Sequence, residues 1–184
     1  MKGLTAGQCF WNQEEELIEY HTIPTRAYAS SIQNDVIRID VDGDGWPVFI
    51  EVAFGSAMIE ADLDLASPMD FSLATHRFLD FPICFPYCRI IASPDKSLLF
   101  IVLSEIPAVR SWMSSEGVIW EADRLGRLSG IWMTDITPDP SGRKSAAWRS
   151  ECWRQYRRSS MLRRQRYFSP PVRSISQSDA LGAI

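Results

Sequence analysis

The segment Asp40-Val41-Asp42-Gly43-Asp44-Gly45-Trp46-Pro47-Val48-Phe49-Ile50-Glu51 carries the sharpest chemical pattern in the chain. It matches the calcium-loop spacing D-x-[DN]-x-[DN]-G-x5-E at every position. In such a loop Asp40, Asp42 and Asp44 supply side-chain oxygens and Trp46 a backbone carbonyl. Glu51 closes the site with both carboxylate oxygens, and Gly45 permits the sharp turn. Calcium is therefore the one cofactor the sequence points to. The context weighs against it. A calcium loop of this kind sits between helices, whereas Val36-Ile37-Arg38-Ile39 reads as a strand. Pro47 has no N–H at a place where the loop forms a backbone hydrogen bond. The same residues read better as a strand, a tight acidic turn and a second strand.

Other reactive groups are sparse. Cys84 and Cys88 have a spacing that suits zinc, but a structural site needs four ligands, and only His21, His76, Cys9 and Cys152 are available to complete it. Two cysteines beside prolines, with no second paired motif, read more readily as small buried hydrophobes. His21 lies in a strand pattern and His76 beside Arg77, with no serine or cysteine motif around either. There is no nucleophile elbow, phosphate loop, paired-histidine zinc motif or dinucleotide fingerprint. Asp62 and Asp64 share one strand face about 7 Å apart. That separation can serve a glycosidic acid and base, but such a ladder is far more often the solvated face of a half-buried sheet. These signals lean away from an enzyme.

Charge is more informative. The chain of 184 residues has a net charge of −4, which sums two unlike parts. Residues 1–137 hold 9 Lys/Arg against 20 Asp/Glu, and residues 138–184 hold 10 against 3. Asp40 and Asp42 share outward parity in one strand pattern, as do Glu60, Asp62 and Asp64 in another. Were these strands neighbours, they would form one acidic surface, which a cationic partner would relieve. That partner is either a basic protein or the chain's own C-terminal segment. Seven arginines fall within 149–166, Arg154, Arg157 and Arg158 among them, interleaved with Trp153 and Tyr156. Such a segment suits docking on the acidic body, a membrane surface, or nucleic acid through phosphate contacts and stacking. Charge complementarity favours docking on the body or on a partner.

The elements that hold these residues read as mainly β. Alternation gives strands at 36–42, 48–53, 58–65, 89–92, 98–103, 117–123 and 128–135. A serine–proline start suggests a short helix over 67–79. The body spans 1–136, with repeat-like halves near 15–54 and 98–136. Residues 137–145 read as a linker by their Pro, Gly and Asp content. A basic amphipathic helix follows over 146–168, then a mobile tail over 169–184. The expected fold is α+β: two related antiparallel meanders forming one body, plus the basic C-terminal helix. No apolar run approaches the length of a membrane span, no secretory core is visible near Met1, and the thiols read as free. A cytoplasmic protein is the expectation.

The two halves are similar in detail. Ile23-Pro24 corresponds to Ile106-Pro107, and Ile37, Ile39, Asp42, Gly45 and Ile50 correspond to Val118, Trp120, Asp123, Gly126 and Ile131. The pattern resembles a small family of uncharacterised bacterial domains, about one repeat long. That family pairs a strand ending before a proline with a hairpin of the form apolar-x-apolar-acid-x-Asp-x-x-Gly-x-apolar-x-Gly-Ile-Glu. Val118 to Ile131 fits, with Trp132 in place of the last Glu. The first copy keeps Asp42, Gly45, Ile50 and Glu51 but has Phe49 in place of Gly. Some family members look like partners of RNA-cleaving toxins, so the resemblance implies an antitoxin- or inhibitor-like binding role. It transfers no catalytic residue.

Overall fold

A computed structural model describes residues 6–24, 26–53, 59–74, 78 and 88–167, with the side chains of Ile59 and of 162–167 left aside. Its strands follow the period-2 pattern. Ile37, Ile39 and Val41 are buried, Arg38 is exposed and Asp40 half-buried, as one face turns to the core. The elements are β1 (Gly7–Asn12), β2 (Leu17–Thr22), β3 (Tyr28–Gln33), β4 (Ile37–Asp42), β5 (Pro47–Ala53), β6 (Ile59–Ala61) and β7 (Ser72–Leu73). They continue with β8 (Arg89–Ala92), β9 (Leu99–Val102), β10 (Arg110–Ser115), β11 (Val118–Ala122), β12 (Leu128–Met133), β13 (Thr137–Asp139) and α1 (Arg143–Tyr167).

The strands form two sheets, ordered β13-β1-β2-β5-β4-β3 and β6-β8-β9-β12-β11-β10-β7. Their inner faces share one core. Ile18, Tyr20, Ile39 and Ile50 come from the first sheet, and Leu99, Ile101, Trp120 and Ile131 from the second. Two polar links cross it: the Tyr20 hydroxyl bonds Ser115 Oγ, and the Cys9 thiol donates to the Gly117 carbonyl. The fold is thus mainly β, with a single helix among the described residues.

The two halves repeat as units. The run β1-β2-β5-β4-β3 has the same order as β8-β9-β12-β11-β10. Ile39 pairs with Ile50 where Trp120 pairs with Ile131. Both hairpins shift register at the same point, between Asp40 and Val41 and between Glu121 and Ala122. The turns agree atom for atom. The N–H of Asp42 donates to the Trp46 carbonyl and that of Gly45 to the Asp42 carbonyl. Asp123, Arg127 and Gly126 repeat the arrangement. Gly45 and Gly126 both have positive φ, 82° and 77°, which glycine adopts without a steric cost.

Each unit also gives a strand to the other sheet. β6, which follows the first unit, pairs in parallel with β8. β13, which follows the second, pairs in parallel with β1. Each donated strand covers an edge that would otherwise carry open N–H and C=O groups.

α1 lies on the outer face of the first sheet. Ser145 and Cys152 are buried along it, and Trp148, Gln155, Tyr156 and Ser159 half-buried. These positions recur at three- and four-residue steps, which places them on one helix face. Buried Asp139 accepts from the Ser145 N–H at 2.9 Å, satisfying a donor that the first turn leaves open.

Several elements depart from the sequence expectations. Residues 137–139 are strand β13, not linker, and α1 begins at Arg143 rather than 146. Pro138 reads as a breaker, but it sits in an edge strand, which can spare its N–H. The expected helix over 67–79 is absent from its described residues, where only the two-residue β7 forms. A serine–proline start does not make a helix without an apolar stripe to bury. The strand expected over 58–65 ends at Ala61. Asp62 Oδ1 accepts from the Asp64 N–H at 2.9 Å, and this local turn takes the backbone out of the sheet. β1, β3 and β10 were not legible as strands. The expected tail over 169–184 lies outside the described residues.

Candidate functional site

The outer face of the first sheet carries an ordered set of charged residues, fixed by strand register. In one row Glu19 on β2 stands beside Glu51 on β5, and Glu51 beside Arg38 on β4. In the next, His21 stands beside Phe49, Phe49 beside Asp40, and Asp40 beside Ser31 on β3. α1 covers the β1–β2 side of this face. Between the helix and β4 lies a cleft of about 350 Å³, walled by His21, Arg38, Asp40, Phe49, Glu51 and Arg149 among others.

Three contacts from α1 build its near wall. Arg149 Nη2 donates to Glu19 Oε1 at 2.7 Å. Trp148 Nε1 donates to the His21 carbonyl at 3.1 Å. The Arg149 guanidinium lies 5.8 Å from the Phe49 ring centre, and the His21 and Phe49 rings lie 4.7 Å apart. On the far wall Arg38 grips Asp40 with two donors, at 2.8 and 3.0 Å, while Ser31 donates to the same carboxylate at 2.6 Å.

Burial and these neighbours set the charge states. Burial opposes ionisation of Glu19, but the adjacent His21 and Ser145 side chains and the Arg149 guanidinium outweigh it, and the carboxyl falls below its ordinary value. Burial lowers the His21 value despite nearby Glu19, so the imidazole is held toward its neutral form. Glu51 is raised, chiefly by burial, although Arg38 draws it down. Glu19 Oε2 and His21 Nε2 are buried, lie 3.8 Å apart, and have no hydrogen-bond partner.

The residues expected to form a calcium loop do other work. Asp42 is buried, and its Oδ1 accepts from the N–H groups of Asp44 at 2.9 Å and Trp46 at 3.2 Å. Its Oδ2 accepts from the Arg26 N–H at 3.0 Å. Asp44 pairs with Arg26 at 2.8 Å, and Asp40 and Glu51 face the cleft. The segment is strand, turn and strand, without flanking helices. Among the described residues no three His, Cys, Asp or Glu side chains gather as metal ligands would. Cys84 and His76 of the zinc set lie outside the described residues.

The single acidic surface is not assembled. Asp40 and Asp42 belong to the first sheet, while Glu60 is on β6 at the edge of the second, bound to Arg89 at 3.3 Å. Asp62 and Asp64 are exposed in the turn after β6. Arg154, Arg157 and Arg158 are exposed on the outward side of α1, with Arg154 bound to Glu151 at 2.8 Å. The Cys9 and Cys152 thiols are poor nucleophiles: burial raises Cys9 strongly and lifts Cys152 to about 11. Sequence reasoning missed Glu19, Arg38, Phe49 and Arg149 as a group. The one available signal was Glu19 and His21 alternating with Ile18 and Tyr20. That pattern gives β2 a polar outer face and makes it a natural seat for a basic helix.

Comparison of the chain with family models, with curated proteins and with solved structures found no match. Among the described residues no helix is long and apolar enough to cross a membrane.

Proposed function

We propose that the protein is a non-catalytic protein-interaction module whose contact surface is the outward side of α1. One observation carries this reading. With the helix anchored by Arg149, Trp148 and Cys152, Trp153 is 38% exposed and Met161 65% exposed, in line with exposed Arg154, Arg157 and Arg158. The positions 153, 154, 157, 158 and 161 follow helical spacing, so they form one stripe. Trp, Met and Arg are the residue types enriched at protein interfaces, and Trp and Arg dominate binding energy there. A helix already held in place loses little further freedom on binding. A stripe of this kind suits a partner that offers carboxylates around an apolar pocket. An inhibitor-like role, as the family resemblance implies, fits the same surface.

The test is affinity capture from native lysate by the intact protein, treated with nuclease and compared with an Arg154→Glu/Arg157→Glu/Arg158→Glu variant. The expected result is a protein retained by the native chain, released by salt and absent with the variant. Capture that disappears on nuclease treatment favours nucleic-acid binding instead, and capture unaffected by the triple change overturns the proposal.

A further inference from the structure

We infer that the cleft between α1 and the first sheet binds an alkylguanidinium group, seated between Glu51 and the Phe49 ring. This inference concerns the side of the helix that meets the sheet; Trp153 borders both surfaces, but the inference does not depend on the partner stripe.

Two carboxylates, Asp40 and Glu51, and two guanidiniums, Arg38 and Arg149, line the cleft, with buried Glu19 behind Arg149. Both cations are engaged elsewhere. Arg38 is committed to Asp40 by two hydrogen bonds, and Arg149 to Glu19. Glu51 makes no hydrogen bond or ion pair with any described residue, though both guanidiniums act on it through space. It also stands directly across the strands from Glu19, and like charges in that position destabilise a sheet. The vacant place is therefore for one positive charge, and an anion would meet an uncompensated carboxylate.

A second feature points the same way. His21 lines the cleft with its side chain only 5% exposed, and its Nε2 and the neighbouring Glu19 Oε2 lack hydrogen bonds. A buried polar atom without a partner costs free energy. An N–H donor brought into the cleft gives the neutral His21 imidazole a partner, with Arg149 left on Glu19. The remaining walls suit an apolar stem: Pro24, Tyr28 and Val48 line the cleft, and the Phe49 face attracts a cation as it already does that of Arg149.

Calorimetric titration of the intact protein with butylguanidine, and with a short glycine-flanked arginine peptide, tests this. Butylurea serves as the neutral isostere and succinate as the anion. The expected result is saturable binding of a guanidinium compound, weakened at least tenfold by Glu51→Gln and unchanged by Asp64→Asn, with no binding of butylurea or succinate. Binding of butylguanidine at least as tight as that of the peptide makes the ligand a small molecule; binding of the peptide alone makes it a side chain of another protein. Absence of saturable binding by either cation overturns the inference, as does equal binding by the Glu51→Gln variant.

Discussion

The two five-strand units share order, register and turn, yet their outer faces differ in kind. On the first stand Glu19, His21, Arg38, Asp40, Phe49 and Glu51. Register places Phe100, Val102, Ile119, Glu121, Gly130 and Trp132 at the corresponding points of the second. There the Phe100 and Trp132 rings stack with centres 4.0 Å apart and planes 10° from parallel. Gly130 makes room for them, since a Cβ at that position would come within 2.6 Å of the Phe100 ring. In the first unit Phe49 takes the place of Gly130, across from His21 on β2, and Glu19 stands where Phe100 stands in the second. Inner positions are held to one chemistry by the shared core, where volume changes are felt at once. Outer positions answer only to what covers them. In the first unit that cover is α1, so its outer face became charged and acquired a cleft.

The strongest way to break the comparison is to cut it. If the units were independent, each would fold alone. The exchange of β6 and β13 makes each sheet depend on the other unit for an edge, and the core depends on both inner faces. Separation of the chain after Asp64 into 1–64 and 65–184 is expected to abolish cooperative thermal unfolding in each fragment, with a native-like melt regained on mixing. Circular dichroism melts of each fragment and of the mixture measure this. A cooperative transition in either fragment alone shows that the units are separable.

A smaller loss is expected at the turn that both copies share. Asp42 accepts from the backbone N–H groups of Arg26, Asp44 and Trp46, and Asp123 from those of Leu125 and Arg127 while also binding the Arg127 guanidinium. Asp42→Ala leaves those partly buried donors without their acceptor, at a cost of about 2–4 kcal/mol, since hydrogen bonds to a charged group are worth about 1.5–3 kcal/mol each. Asp123→Ala is expected to destabilise in the same direction. Denaturant titration of both variants, with and without calcium, decides the role of the segment. Asp42→Ala with native stability but a lost calcium response would return the loop to metal binding.

What was legible in the sequence follows the same division. The hairpins of β4–β5 and β11–β12 were readable because burial on one side makes Ile37, Ile39 and Val41 alternate with polar residues. The repeat was readable because Asp42, Gly45, Asp123 and Gly126 perform backbone work that few residues can do. β1, β3 and β10 escaped notice because Cys9-Phe10-Trp11 is apolar throughout, and Ser30-Ser31 and Ser114-Ser115 are polar where apolar residues would mark a face. β13 escaped because its partner β1 is 127 residues away at Phe10 and Thr137, a pairing no local pattern encodes. The cleft was hidden for a related reason. Glu19, Arg38, Glu51 and Arg149 come from three strands and a helix, and only register brings them together.

The mildest test bears on His21, which faces Val102 across the comparison. The folded protein holds its imidazole below the ordinary value of 6.5, chiefly through burial, whereas the unfolded chain titrates it normally. The unfolded state therefore binds more protons over that interval, and stability is full above the unfolded value and falls as pH drops through it. Glu19, also lowered, acts in the same direction but only beneath its ordinary value of 4.5. Glu51 is raised and acts in the opposite direction, favouring the folded state toward acid. A His21→Val substitution gives the first unit the residue of the second and leaves both glutamates in place. The melting temperature of the native chain is expected to decline between about pH 7 and pH 5.5, the range in which histidine alone among ordinary side chains changes charge. In His21→Val that decline is expected to flatten. An equal decline in the variant would mean that His21 is no more protected from protons under α1 than in the unfolded chain.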